Sequence, residues 1–525
     1  MKTRALILFL IIGKVSFGQY YNDLSLLYSR SDISGTARSA GSGGAYGSVG
    51  ADMGSLDINP AGLGLFRSTE FSITPGLRIS SNQGNYDQSS TNASLPKLYL
   101  GQAGIEWTKI LSEASKAHEI SFNAQPRLRS ITFAINYQAD NFYARSQNFN
   151  ALNTTSSMID NYTNYLNASG TSAGSITETY VASLVGLIGQ NTSGQYISNA
   201  PAPVYQAGNI ETRGSRDKIT LGFGGNFNDK LYFGLSLSVP FISYTSYTTM
   251  AETNAGDSVS AFQNYSLTST QSETGVGITG NLGLIYRPVS WFRLGASYHL
   301  PTWYTMTESY SSQINYANFD TASYYTDAVP YPDLKYTFRS PMMGVFSASF
   351  FLKKIGFISV DYQLQNLGSS HFNFGSGNEA LTQSTNDTIK SYYTIEHTIR
   401  VGAEVAYKIL RIRAGYAIST SPYKSAVANN PALGFEGYTG AKQNITAGLG
   451  LRFDRFFIDF AYIYSFTKDV SYPLAVDPVY NNYNSSTLLL TLGWKLNQSK
   501  SRRARSNYNN NNTKTNTIPP ADQQY

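Results

Sequence analysis

Eight charged residues in the last third of the chain fall at alternating positions of strand-like segments, so they share the polar face of those segments. They are Asp361, Glu396, Arg400, Glu404, Arg411, Arg413, Arg452 and Asp459. If that face lines an interior, the charges must be paired or hydrated, because an unpaired charge at low dielectric is costly. The pattern favours structural salt bridges over an ion pathway. Arg400, Glu404, Arg413, Arg452 and Asp459 are the candidate polar residues of such a lumen.

Other residue types that could carry chemistry are scattered along the chain. The four histidines are His118, His299, His371 and His397, which lack the spacing of metal ligands, and cysteine is absent. No nucleophile, base and orienting residue can be grouped by spacing. The glycine-rich residues 41–47 lack the spacing and the βαβ frame of a dinucleotide loop. The sequence therefore predicts no catalytic residue, no metal and no cofactor.

The composition and the first residues indicate export. Charged residues make up 14% of the 525 residues, against roughly a quarter in soluble domains. Basic residues, a short apolar run and small residues predict a signal peptide over residues 1–18. No later run reaches the ~20 apolar residues of a spanning helix, so the exported chain is either soluble or a β-barrel. Part of the net charge of +6 lies in residues 500–505, a pattern typical of a solvated tail rather than a nucleic-acid site.

From Glu70 onward, apolar residues alternate with polar or small ones, and this period of two predicts strands with one apolar face. Fourteen strands are predicted: 70–80, 97–109, 129–140, 217–227, 230–248, 266–287, 291–309, 334–352, 355–366, 392–408, 410–420, 442–453, 456–467 and 486–498. Very short links alternate with long polar loops, which is typical of an all-β, antiparallel transmembrane barrel. Residues 110–128 are too long for a periplasmic turn and leave room for another strand at 119–123.

The longest predicted loop, residues 141–216, contains two stretches with apolar side chains at helical spacing. These side chains are Met158, Ile159, Tyr162, Leu166, Val181, Leu184, Val185 and Ile188. Ser175 and Glu178 form a capping box for the second stretch. The two predicted helices either pack on each other and on the barrel rim or form an outward-facing groove that captures an apolar ligand. Both arrangements are compatible.

A glycine-rich segment, residues 39–65, precedes the strands and is too rich in glycine for a core helix. Residues 35–46, followed by the motif of residues 59–63, resemble the N-terminal hatch of FadL-type outer-membrane transporters of hydrophobic compounds, a family that includes the toluene-uptake porins. Weaker similarities to that family's closing strands lie at residues 400–404, 413–416, 446–450 and 459–462. The resemblance covers nearly the whole mature chain.

The resemblance implies a barrel of about fourteen strands with the N-terminal hatch inside its lumen, ligand capture by extracellular loops, and release through a gap in the wall. Asn59, Pro60, Ala61 and Gly62 would form a rigid turn that gates the exit, and the glycines would allow close backbone packing. The expected organisation is a signal peptide (1–18), a hatch (19–69), a barrel with long loops (70–498) and a polar periplasmic tail (499–525). Family members usually lack such a tail.

The expected function is passive, hatch-gated uptake of hydrophobic small molecules across the outer membrane, with long-chain fatty acids as the first candidate. An alternative is a FadL-like barrel that acts as a protein-binding platform of a secretion or surface-attachment apparatus, which the polar loops and the tail would suit. A general porin would conduct ions, which a plugged barrel should largely not do. The expected partners are a hydrophobic ligand or lipid, outer-membrane lipid and, for the platform, a protein.

Overall fold

The computed structural model describes residues 21–111, 127–256, 262–318, 323–325, 329–353, 355–428, 439–471, 473 and 478–496. Within them, the chain forms a closed antiparallel barrel whose last strand pairs with its first. The predicted fourteen-stranded barrel is confirmed. The predicted signal peptide, the tail over residues 499–525 and the extra strand at 119–123 fall outside the described residues.

The fourteen wall strands are β1 (Glu70–Tyr86), β2 (Ser89–Ile110), β3 (Leu128–Phe142), β4 (Val204–Phe227), β5 (Leu231–Asn254), β6 (Phe262–Val289), β7 (Phe292–His299 and Trp303–Asn318), β8 (Val329–Arg339 and Met343–Phe351), β9 (Gly356–Asn366), β10 (Ile395–Tyr407), β11 (Leu410–Ser419), β12 (Lys442–Arg452), β13 (Phe456–Ser471) and β14 (Val479–Lys495). The helices are α1 (residues 21–29), α2 (Ala37–Gly41), α3 (Ser55–Ile58), α4 (Met158–Ser169), α5 (Thr177–Leu184), α6 (Glu379–Tyr392) and α7 (Ser425–Ala428).

The outer surface of the barrel carries an apolar belt. Leu235 and Leu237 of β5 are about half exposed on it, whereas the alternate residues Ser236 and Ser238 are buried inside. Apolar side chains outside and polar ones inside are the arrangement of a transmembrane barrel. β6 has 28 residues, far more than the ~9–11 needed to cross a bilayer, so it projects beyond the lipid on the loop side. Among the described residues, no helix is long and apolar enough to span a membrane.

Several strand boundaries differ from the prediction. β7 and β8, expected to be continuous, are each interrupted, at Pro301 and at Pro341. Proline has no N–H to donate to the ladder, which explains both breaks. β4 begins at Val204 rather than at residue 217, because its first part pairs with Arg145–Asn153 on one side and with β5 on the other. Short strands at His371–Asn373 and Ser323–Tyr325 extend the sheet above the belt.

The long loop after β3 contains the two expected helices. α4 begins with a capping box between Ser157 and Asp160 and ends at Gly170, whose φ is +67°. The predicted capping box of α5 is wrong: its N-cap is Ile176, without a side-chain bond, and the Glu178 carboxylate instead accepts a hydrogen bond from the Tyr310 hydroxyl. α5 ends at Leu184, and a hairpin of Ile188–Gln190 and Tyr196–Ser198 follows.

Residues 21–69, which we call the plug, lie inside the barrel. α1 lies under the extracellular loops, α2 packs against β11 to β14, and the 3-10 turn Pro60–Leu65 packs against β3 to β6. The contact is backbone to backbone: a Cβ added at wall residue Gly402 would lie 2.2 Å from the Ser42 carbonyl oxygen, and one at Gly415 would lie 2.2 Å from the Gly43 nitrogen. Glycine in the wall therefore lets the plug seat closely.

Candidate functional site

The extracellular half of the lumen holds an aromatic chamber that α1 fills. Its walls include Tyr304, Tyr336, Phe338, Phe372, Phe374, Tyr393 and Tyr423, all buried. From α1, the Tyr21 ring lies 4.7 Å from that of Phe374, and the Tyr28 ring lies 5.5 Å from that of Phe338. Leu24 belongs to the same cluster. This aromatic space is thus occupied by a helix of the chain itself.

The chamber also contains carboxylates. Glu273 of β6 and Glu308 of β7 are directly opposite each other on neighbouring strands. The hydroxyl of Tyr336 donates to Glu273 Oε2 at 2.9 Å, and that of Tyr21 donates to Glu308 Oε2 at 2.9 Å. Gln271 Nε2 donates to Glu308 Oε1 at 3.1 Å and to Glu273 Oε1 at 3.3 Å. An anion bound in this part of the chamber would be repelled by both carboxylates, because like charges at short range repel each other.

Wall residues hold the C-terminal end of α1. Asn141 Nδ2 donates to the carbonyl oxygens of Leu27 at 3.0 Å and Arg30 at 2.9 Å. The Arg216 guanidinium donates to the carbonyls of Tyr28 and Arg30 and pairs with Asp140 at 2.8 Å. The last carbonyls of a helix have no partner within the helix, so these side chains act as its C-terminal cap.

A polar cavity of about 140 Å³ lies beside this helix end. Its lining includes plug residues Tyr28, Ser29 and 31–34 together with Gln138, Lys218, His299 and Arg400 from the wall. Lys218 Nζ donates to Asp140 Oδ2 at 2.9 Å, and an Arg400 guanidinium nitrogen donates to Gln363 Oε1 at 2.7 Å. Tyr304 of the chamber and Gln138 and Asp140 of β3 are among the residues that line it.

The wall has an interruption beside this cavity, which we call the window. The β2–β3 ladder runs from Ile110–Ser130 to Gln102–Gln138 and stops, although β2 continues to pair with β1 as far as Ser89. β3 instead follows β4, and its continuation, Arg145–Asn153, pairs with β4 as well. Toward the loop side, no backbone ladder joins β2 to β3 among the described residues, and side-chain bonds from Ser89 and Thr91 of β2 to Asn150 and Asn148 of that continuation connect them there.

Two rings close the window. The Tyr99 and Phe142 ring centroids are 4.3 Å apart. The Arg78 guanidinium lies 5.4 Å and the Lys97 ammonium 5.6 Å from the Phe142 centroid, distances at which a cation is attracted to an aromatic face. Lys97 Nζ also donates to the Gly214 carbonyl at 3.0 Å, which ties β2 to β4 across the gap. The closure is made by side chains, without a backbone ladder between β2 and β3.

The charged residues predicted for the lumen are inside the barrel, and four of the five form one network. Arg413 Nε donates to Glu404 Oε2 at 2.6 Å, and its NH1 donates to Asp459 Oδ1 at 2.6 Å. Arg452 pairs with Asp459 at 2.8 Å, and Arg38 of the plug pairs with Glu404 at 3.4 Å. The Arg38–Glu404 pair links this network of the wall to the plug. Arg400 lies apart, on the polar cavity.

The hatch motif forms a hydrogen-bonded turn. Asn59 Oδ1 accepts a hydrogen bond from Ala61 N at 3.0 Å, Asn59 Nδ2 donates to the Gly47 carbonyl at 2.7 Å, and Gly62 N donates to Asn59 O at 3.0 Å. Pro60 packs against the wall at Gly234. A Cβ added at Gly234 would lie 2.2 Å from the Pro60 carbonyl oxygen. The turn is wedged against β5 and β6, and its gating role stays a prediction.

The predicted ligand-capturing side chains lie in the loop region and are mostly buried. Met158, Ile159, Tyr162, Leu166, Val181 and Ile188 belong to a core formed with residues of β6 and β7, and Val185 packs against it. Leu184 is 54% exposed. The stripes thus pack on the extended wall, as one of the two interpretations expects, and leave little apolar surface for an open groove. Their role in ligand capture stays a prediction.

Sequence reasoning missed the chamber and the window. The chamber had a detectable signal, because Tyr336 and Phe338 alternate with the exposed Lys335, Thr337 and Arg339, which places two aromatic rings on the inward face. The window had none, because it depends on where the β2–β3 ladder ends.

The fold resembles those of several solved structures. No model of a known protein family matches the sequence, and no curated protein gives a significant match. The toluene transporter TodX of Pseudomonas putida superimposes with a TM-score of 0.51 at 13% identity, covering 89% of this chain and 100% of the other. A FadL homologue of Pseudomonas aeruginosa gives the same values. At this identity the likeness concerns the fold: the chain is a fourteen-stranded barrel with the architecture of the FadL-type proteins that its sequence resembles.

Proposed function

We propose that the protein is an outer-membrane channel for the passive uptake of hydrophobic small molecules. The observation that carries this proposal is the window: a gap in the backbone ladder between β2 and β3, closed by side chains that include the Tyr99 and Phe142 rings, beside a lumen that the plug fills. A molecule would enter the aromatic chamber from the loop side, pass the polar cavity and leave sideways. The toluene transport named for TodX, which shares the fold, is consistent with this route.

The chamber favours an uncharged cargo over a carboxylate. Its aromatic lining suits an apolar body, and Glu273 and Glu308 would face the head group of a bound molecule. At an effective dielectric constant of about 20, two like charges about 4 Å apart repel by about 4 kcal/mol. Long-chain fatty acids, the first candidate from the family resemblance, would therefore enter in the protonated form or poorly.

Uptake of three pyrene derivatives tests this function. Pyrenebutanol, pyrenebutylamine and pyrenebutyrate share one fluorescent body and differ in the charge of the head group. Cells that make the barrel should take up the alcohol faster than cells without it, and should prefer it to the carboxylate by at least tenfold, because even about 1.4 kcal/mol of this repulsion corresponds to a factor of ten. Equal rates with and without the barrel would contradict the proposal. Stoichiometric co-purification of another protein would favour the platform instead.

A pair of substitutions on one strand tests the route. Phe142→Ala removes a window ring and should raise the uptake rate of pyrenebutanol, because the remaining Tyr99 no longer closes the gap. Phe133→Ala is the matched control: it makes the same change on β3, but Phe133 is 52% exposed on the outer surface. Equal rates in the two variants, both assembled in the membrane, would mean that the cargo leaves by another path.

A further inference from the structure

We propose that the turn side of the barrel, the end where the strands are joined by short turns, is a docking surface for the phosphate groups of anionic phospholipids. In a barrel with short turns at one end and long loops at the other, the turns face the periplasm. The lipids are therefore those of the periplasmic leaflet of the outer membrane. Their binding sets the height of the barrel in the membrane, and this role is separate from the uptake of cargo.

The exposed charges of the turn side are mostly positive. Among the described residues of that side, Asp454 is the exposed acidic residue, Glu70 and Asp229 are partly buried, and Asp229 pairs with Arg67 at 2.9 Å. The exposed basic residues, which we call the rim, are Arg67, Lys109, Arg127, Lys230, Lys353, Lys408 and Arg455. The rim therefore carries more positive charge than the described carboxylates of the turn side can neutralise.

The loop side differs, because charges of both signs are interspersed on it. The Arg213 guanidinium, for example, pairs with the neighbouring Glu211 carboxylate. The exposed acidic residues of the described loop side are Asp87, Asp333, Glu379 and Asp387. The charge asymmetry between the two ends indicates an anionic partner on the turn side, since complementary charge attracts a partner to a surface.

The rim lies at the height of the lipid head groups. Trp107 and Lys109 are exposed on the same face of β2, two residues apart. Tyr407 is 66% exposed, and the Lys408 ammonium lies 5.5 Å from the centre of its ring. Exposed tryptophan and tyrosine rings mark the level of the head groups in a transmembrane barrel. Long basic side chains beside such rings reach the phosphates while their stems cover apolar surface.

The rim residues are spread around the barrel, which favours lipid over a protein as the occupant. Lys109 lies at the end of β2, Lys230 between β4 and β5, Lys353 between β8 and β9, Lys408 between β10 and β11, and Arg455 between β12 and β13. A folded protein would contact one side of this ring, whereas phospholipids surround the whole barrel. Ammonium and guanidinium groups both form charge-assisted hydrogen bonds with phosphate.

Two rim lysines occupy backbone positions that do not favour lysine. The φ angle is +47° at Lys353 and +51° at Lys408. This left-handed region is populated mainly by glycine, asparagine and aspartate. The turn geometry therefore does not account for lysine at either position, whereas a positive charge required at the head-group level does.

Tryptophan quenching measures which lipid surrounds the turn side. Trp107, Trp291 and Trp494 lie at the turn side, and Trp303→Phe removes the fourth tryptophan, on the loop side of β7. The barrel is placed in vesicles of equal parts phosphatidylglycerol and phosphatidylcholine, with bromine on the acyl chains of one lipid at a time. Phosphatidylglycerol should be enriched around the rings by about fivefold, because an anionic surface attracts each nearby Lys or Arg by about 1 kcal/mol.

Salt provides a test that needs no change in the rim. Raising the salt concentration to about 1 M shortens the screening length to about 3 Å and should abolish the preference for phosphatidylglycerol. Equal quenching by the two lipids at low salt would overturn the proposal and would favour a soluble anionic partner instead. A preference that survives 1 M salt would also overturn it, because the attraction would then not be electrostatic.

A matched pair of fourfold variants tests the residues themselves. The rim variant should reduce the preference to below about twofold, because it removes most of the nearby positive charge; it combines Lys109→Gln, Lys230→Gln, Lys408→Gln and Arg455→Gln. The control variant removes the same charge from exposed positions of the loop side and should keep the wild-type preference; it combines Arg213→Gln, Lys335→Gln, Lys390→Gln and Lys424→Gln. If the rim variant keeps the preference, or the control loses it equally, the turn side is not the docking surface.

Discussion

Gly415→Ala should unseat the plug without disturbing the barrel. The built methyl carbon lies 2.2 Å from Gly43 N, 2.5 Å from the Ser42 carbonyl carbon and 2.6 Å from Gly43 Cα. Since all three are plug backbone atoms, no side chain can rotate away, and contact distances of about 3.5 Å require a shift of more than 1 Å. Overpacking of this kind costs about 1–3 kcal/mol, which shifts the equilibrium between seated and unseated plug by about 5- to 150-fold.

Planar-bilayer conductance measures this shift. A barrel without residues 19–57 should conduct continuously and supplies the open reference, and wild-type protein should be nearly silent. Gly415→Ala should open in bursts. Gly344→Ala on β8 is the matched control, because its built methyl meets nothing closer than Leu364 Cγ at 3.8 Å. If Gly415→Ala assembles normally and is as silent as Gly344→Ala, the glycine contacts do not seat the plug. Gly402→Ala checks the same surface independently.

Three further predictions concern the wall and the loops. Arg413→Met should lower the free energy of unfolding of the barrel by about 3–5 kcal/mol, because it removes a cation that pairs with the buried carboxylates of Glu404 and Asp459. An unchanged midpoint of denaturant unfolding would contradict this. Ile188→Asp should unfold the loop core and make it protease-sensitive, whereas Leu184→Asp, at an exposed position, should not; equal sensitivity would refute the placement. Burial raises the pKa of Glu178 above its ordinary value in the folded state. The protonated carboxyl therefore contributes its full stabilisation of α5 at pH values below the unfolded-state pKa, and this stabilisation is lost as the pH rises through the folded-state pKa. Hydrogen exchange of α5 should therefore quicken from pH 4 to 8, more in wild type than in Glu178→Gln.

The strand pattern was predictable because it is local. Side chains alternate faces along any strand, so a period of two shows in the sequence without knowledge of the partners. All fourteen wall strands were placed in this way, and the charged residues facing inward were assigned to the correct side. Boundaries were less accurate, as in β4, because pairing with neighbouring strands decides where a strand ends.

The tertiary structure alone decided which parts meet inside the barrel. Asn141 caps α1 through Leu27, which is 114 residues away in the chain, and the window exists because one ladder stops at Gln102 and Gln138. Neither fact has a local signature. The sequence by itself determined a barrel with a polar interior, since alternation is a property of each strand. The chamber, its occupant and the window follow from register and from long-range packing, which only the closed barrel defines.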